Sequence, residues 1–180
     1  TIEPFTGGAR TADQSDGWNG APDRYDWKLL GKRELLIGYN SYKLADRTLR
    51  YADIIRAHHL DPDLLRYERH RVWVVEATLR AGHYHPYARR IFYVDEDTWQ
   101  VAQEEVYNKA GKLVRFGDHQ MIQFYDVQVP WYAATIHHDL ASGAYLVSYL
   151  SNMEPFPTRW GFKGRLRDYL PSSLRSLGLQ

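Results

Sequence analysis

The chain has 180 residues, 44% hydrophobic and 25% charged, with 23 basic against 22 acidic side chains. That length and balance fit one folded domain and give no strong field for nucleic acid or an anionic membrane. Cysteine is absent, which excludes disulfides, thiolate metal sites and cysteine nucleophiles, and the apolar runs are too short for a membrane-spanning helix.

Residues 1–22 carry Gly, Asp, Ser and Pro without a period and read as an extended arm or loop. They do not have the form of a signal peptide and suit the start of a processed or cut product. From Tyr25 to Ile37 the side chains alternate. Tyr25, Trp27, Leu29, Leu35 and Ile37 fall on one face, and Asp26, Lys28, Lys32 and Glu34 on the other. The pattern predicts a half-buried strand with a bend or bulge at Gly31. Residues 40–65 are less regular, with a short helix expected over Tyr51 to His59 and a turn or helix start at Asp61-Pro62. Arg66 to Leu79 is a long strand centred on Val72, Trp73, Val74 and Val75. At about 3.3 Å per residue it is long for a small sheet and predicts strong curvature and twist.

A turn region from Ala81-Gly82 to Pro86 leads to a strand over Arg89 to Asp95. Asp95-Glu96-Asp97 is a tight acidic turn, and Trp99 to Tyr107 the next strand. Asn108-Lys109-Ala110-Gly111 is a turn whose glycine suits a positive φ. Leu113 to Tyr125 follows, with Val114, Phe116, Ile122 and Phe124 on one face. Pro130 interrupts the pattern. Tyr132 to Leu140 and Ala144 to Leu150 then pair across Ala141-Ser142-Gly143. Beyond Trp160, Phe162, Leu166, Tyr169 and Leu170 stand at helical spacing, with Pro171 ending or restarting the helix. No repeat of solenoid period occurs. The fold class is mainly β, a curved meander of antiparallel strands with a few short helices. Residues 23–180 form its single β-rich domain.

Six Trp, fourteen Tyr and six Phe stand beside seventeen Arg and only six Lys. Aromatic rings favour strands and line apolar sites, and arginine is the better partner for rings and carboxylates. Candidate catalytic groups are few. His83 and His85 alternate, so on a strand both would share a face, but zinc takes at least three protein ligands. Neither His58-His59 nor His137-His138 is tied to them by spacing. Asp95, Glu96 and Asp97 lack the ligand pattern of a calcium loop and read as a solvated turn. Glu104 and Glu105 are consecutive on a strand and face opposite ways, so they are no carboxylate pair. Glu76, in an otherwise apolar strand, is expected to form a cross-strand ion pair with the nearby arginines, Arg69, Arg71, Arg89 and Arg90. No nucleophile elbow, phosphate loop or dinucleotide fingerprint is present. The chain reads as a non-enzyme with no metal and no cofactor. A curled sheet would turn one apolar face into a cavity, although most apolar faces are simply core.

Several blocks carry a family resemblance: APDRYDWKL (21–29), YNSYKL (39–44), RYERHRVWVVEATL (66–79), FYVDEDTWQ (92–100) and YDVQVPWY (125–132). They resemble the domain of unknown function 1329 family of Gram-negative envelope proteins over nearly the whole chain. The segment from Tyr93 to Arg115 is also similar to the lipoprotein-carrier superfamily of LolA and LolB. Its marks are the aspartate turn at Asp95, Tyr107 in the next strand, and the turn Gly111-Lys112-Leu113. The resemblance implies a secreted, periplasmic protein made with a signal peptide, of which this chain is the C-terminal portion. It implies a half-barrel whose concave side holds acyl chains.

On this basis the expected function is periplasmic binding or carriage of a hydrophobic molecule, a lipid or lipid-like amphiphile, within an envelope transport system. The candidate lining residues are Trp27, Leu29, Trp73, Val75, Phe92, Phe116, Ile122 and Phe124. The rival expectation is an accessory subunit of a resistance-nodulation-division type transporter or an outer-membrane partner, holding no ligand. Its docking patch would lie around Trp131-Tyr132 or Trp160-Phe162. A second chain or an N-terminal portion would complete the sheet, whose open edge is otherwise a liability.

Overall fold

A computed structural model describes residue 8, residues 10–156 and residues 158–177, the side chains of 174, 176 and 177 excepted. Seven strands form one antiparallel meander: β1 (Tyr25–Gly38), β2 (Tyr67–Leu79), β3 (Arg89–Asp95), β4 (Val101–Tyr107), β5 (Leu113–Phe124), β6 (Val129–Asp139) and β7 (Tyr145–Ser148). Helices are short: α1 (Tyr51–Ile54), α2 (Pro171–Leu177) and a few 3-10 turns. Among the described residues no helix is long and apolar enough to cross a membrane.

The sheet curls partway into a ring. At the end of β1, Gly38 pairs in parallel with Gln120 of β5. A Cβ at Gly38 would stand 2.5 Å from the His119 carbonyl oxygen and from the Gln120 amide, so this close approach requires glycine. The contact does not extend into a ladder, and the ring is not a regular barrel.

Strand β1 carries the bulge expected at Gly31. The register moves from Leu29 opposite Val75 to Gly31 opposite Val74, and Gly31 takes a φ of +107°. One extra residue turns every later side chain to the other face. Tyr25 therefore packs with Ala77 and Phe92, whereas Ile37 packs with Val72, Val74 and Tyr93. The expected common face for Tyr25, Trp27, Leu29, Leu35 and Ile37 ends at the bulge.

Other expectations shift for local reasons. Pro130 does not interrupt a strand; it is the second residue of β6, opposite Gln123, where a missing N–H is tolerated. The helix expected to reach His59 stops at Ile54, because His58 takes a φ of +70° and Ile55 bridges to Leu60. Asp61 does cap a 3-10 turn at Pro62–Leu64, accepting from the Asp63 amide. Trp99 takes a φ of +60° and precedes β4. The helical spacing after Trp160 resolves into a 3-10 turn at Leu166–Tyr169, and Pro171 starts α2 rather than ending a helix, the position where its fixed φ suits helix entry. Gly111 and Gly143 have φ of +74° and +73° in the two turns.

Two covers close the sheet. Residues 40–65 lie over β5 and β6, packing Leu44, Ile54 and Leu60 on Ile122, Ala134 and Ile136. Trp18, preceding β1, meets Tyr25 and Phe92 edge-on at 5.6 and 5.4 Å.

Candidate functional site

A cavity with aromatic walls lies where β5 ends and β6 begins. It has a volume of about 340 Å³ and is lined by Ile122, Phe124, Trp131, Tyr132, Ala133 and Tyr149, with Ala45, Arg47, Ser151, Asn152 and Thr158 completing it. Its size falls within the ~300–1,000 Å³ typical of small-molecule sites. Strand alternation brings Ile122 and Phe124 to one face of β5. The register of β5 with β6 sets Ile122 opposite Trp131.

The rings brace one another. Trp160 meets Phe124 at 5.1 Å and Trp131 at 6.0 Å, and Tyr149 meets Trp131 at 6.3 Å and Tyr132 at 6.1 Å. The Tyr132 hydroxyl donates to the Val101 carbonyl at 3.1 Å, and burial raises its pKa far above the usual tyrosine value. The remaining wall is pinned by polar contacts. Asn152 Nδ2 donates to the carbonyls of Leu44 and Asp46 at 2.9 and 2.8 Å. Ser41 Oγ donates to Gln120 Oε1 at 2.7 Å, and its N–H to the Met121 carbonyl at 3.1 Å. The loop after β1 is thereby tied to β5 and to the segment after β7.

A second constellation is buried except at Asp13, which is half-buried. Arg90 donates to Glu104 at 3.0 Å and to Asp13 at 2.8 Å, while Gln14 donates to Glu104 at 2.8 Å. His85 Nε2 stands 3.2 Å from Asp13. Burial pushes the Glu104 carboxyl up against the pull of Arg90. Burial also raises Asp13, but His85, Arg90 and Thr11 outweigh it and hold that carboxyl well below the usual range. His119 and His137 lie on neighbouring strands with rings 5.3 Å apart, and none of their ring nitrogens has a partner among the described residues. Burial lowers His119 to about 4 and His137 well below its ordinary value.

The eight expected lining residues do not form one site. Ile122 and Phe124 line the cavity. Trp27, Val75 and Phe92 gather with Trp18, Trp27 stacking on Phe92 at 5.9 Å. Leu29, on the same face, is 60% exposed. Trp73 stacks on Trp99 at 6.5 Å with the Lys32 ammonium 4.1 Å above its ring. Phe116 sits apart, half-buried opposite His138. Trp131 and Tyr132, expected in an exposed patch, are cavity walls, and Tyr132 is buried. Phe162 is 78% exposed. The pair Trp131-Tyr132 beside Pro130 was the signal for the missed wall; Arg47, Tyr149 and Asn152 had none, because they come from loops.

His83 and His85 lie outside any strand, His83 exposed and His85 buried, so they share no face. Glu76 pairs with Arg89 at 2.9 Å, and Glu104 and Glu105 point apart, Glu105 accepting from Tyr93 and Tyr107. The acidic turn is less solvated than expected. Asp95 is buried and accepts from the Thr98 amide and hydroxyl, while His70 Nδ1 stands 3.2 Å from Asp95 and 3.7 Å from Asp97. These three residues come close enough to hold a cation, yet Thr98 and His70 already satisfy the buried carboxylate as a turn cap.

The sequence pattern described as protein of unknown function DUF1329 matches residues 1–175. An uncharacterized protein of Pseudomonas aeruginosa is 49% identical over 173 residues, 96% of this chain; the chain spans 38% of that relative's length. A crystal structure of a DUF1329 protein from Desulfovibrio piger aligns over 69% of this chain and 38% of its own, with 15% identity and a TM-score of 0.46. A domain from Vibrio parahaemolyticus described as outer membrane lipoprotein-sorting aligns over 69% and 39%, with 10% identity and a TM-score of 0.43.

Proposed function

Because the chain belongs to the DUF1329 family, whose description assigns no activity, we propose from its own geometry that it is a binding or carrier module for a hydrophobic, lipid-like molecule. On this reading it is not an enzyme and works in the periplasm of a Gram-negative bacterium, as part of an envelope transport system. The observation that carries the reading is the cavity between β5, β6 and the loop after β1, with four aromatic rings in its wall. Each methylene moved from water into such a wall contributes about 0.8 kcal/mol.

The test is native mass spectrometry of the chain purified from a Gram-negative envelope, beside Ala133→Trp, which places an indole in the cavity. The expected result is a removable hydrophobic adduct on the natural chain, reduced at least about tenfold in the variant, a 1.4 kcal/mol difference. No adduct, and no uptake of added fatty acid or phospholipid, would sink the carrier reading.

The accessory-subunit reading draws on another observation. Tyr125 and Trp99 are 72% and 70% exposed, each stacked on a second ring, Tyr42 and Trp73. Exposed rings are frequent anchors of protein interfaces. Co-purification of an inner-membrane transporter or outer-membrane protein, lost on Trp99→Ser and without any bound lipid, would favour that reading.

A further inference from the structure

The charge of the cavity narrows the class of ligand. Among the described residues that line it, Arg47 supplies the formal charge at neutral pH and none is a carboxylate. Arg47, exposed at the edge of the cavity, donates from Nη2 to the Glu154 backbone carbonyl at 2.8 Å, and no carboxylate pairs with its guanidinium among the described residues. The neighbouring acids are turned elsewhere. The Glu154 carboxylate accepts from the Tyr51 hydroxyl at 3.0 Å, and Asp46 accepts from the Thr48 amide and hydroxyl at 2.8 Å each. Ser151, Asn152 and Thr158 complete the polar part of the wall.

We propose that the cavity takes an amphiphile with an anionic head, its alkyl chain against the rings and its carboxylate or phosphate at the Arg47 guanidinium. The proposal rests on the carrier reading. The planar fork of arginine matches the oxygens of either head group. Aromatic walls alone would equally suit a quaternary ammonium, and Arg47 is the feature that opposes it by like-charge repulsion.

The experiment is isothermal titration of the 180-residue chain with four ligands of one chain length: decanoate, decyl phosphate, decanol and decyltrimethylammonium. The anions are expected to bind about tenfold more tightly than the other two. Arg47→Gln erases that preference, bringing the anions to the level of decanol; Arg47→Lys retains part of it. Raising the salt weakens the anions and not decanol, a readout that stands even if Arg47→Gln misfolds. The two anions compared with each other decide between carboxylate and phosphate. Decanol or the ammonium binding as tightly as the anions would overturn the head-group assignment and leave the carrier reading standing. An unchanged preference in Arg47→Gln would do the same. No heat with any of the four would overturn both.

Discussion

Two regions of the sheet handle polarity in opposite ways. Beneath residues 11–18 the sheet buries Arg90, Glu104, His119 and His137 almost completely. Where β5 meets β6 it leaves a cavity of about 340 Å³ walled by rings, with one cation among the described lining residues. In the first region polar side chains fill the space, and Arg90, Glu104, Asp13 and Gln14 pair with one another. In the second, rigid rings braced edge to face leave a gap. On the proposed reading the closed region serves stability and the open one recognition, so substitutions in the two should separate into different measurements.

The largest effect is expected from Arg90→Ala. It strands Glu104 in a site with no exposure, and breaking such a pair costs about 3–5 kcal/mol. Urea denaturation measures the loss, while decanoate affinity of the folded protein stays constant. A loss below about 1 kcal/mol would mean that the buried pair does not hold the closed region together.

Gly38→Ala strikes the point where the ring closes. Its new Cβ meets the His119 carbonyl, which cannot move without its strand. Overpacking of this kind costs about 1–3 kcal/mol, readable as a lower Tm.

Acid should act on the closed region. His119 is held at about 4, against an ordinary 6.5, by burial, and His137 is lowered in the same direction, chiefly by burial. Between these values the unfolded chain binds more protons than the folded one. Stability is therefore full above about pH 6.5 and falls as the pH drops toward about 4. The Tm profile measures this, and His119→Phe should flatten it. A profile unchanged by that substitution would show the slope to come from other groups. Glu76→Gln marks the small end. Its pair with Arg89 is partly exposed, so about 0–1 kcal/mol is expected, visible only in a double-mutant cycle.

Much of the fold was legible because strand periodicity is local. Alternation located β1 to β7, the bulge at Gly31 and the turns at Gly111 and Gly143 from neighbouring residues alone. The candidate site was legible only in part. Ile122 and Phe124 share one face of a single strand by alternation, but Ala45, Arg47 and Asn152 join them through hydrogen bonds such as that from Asn152 to the Leu44 carbonyl. Contacts between residues so far apart in the chain leave no periodic trace.

The sequence by itself determined that this chain is a meander of long strands, without cysteine chemistry and rich in rings. Its side-chain alternation and glycine placement dictate those features within a few residues. The tertiary structure alone decided which face each ring occupies, because one extra residue at Gly31 reverses β1. It also decided which loops wall the cavity, because closure at Gly38 and the Asn152 bonds act between segments that meet only in the folded chain.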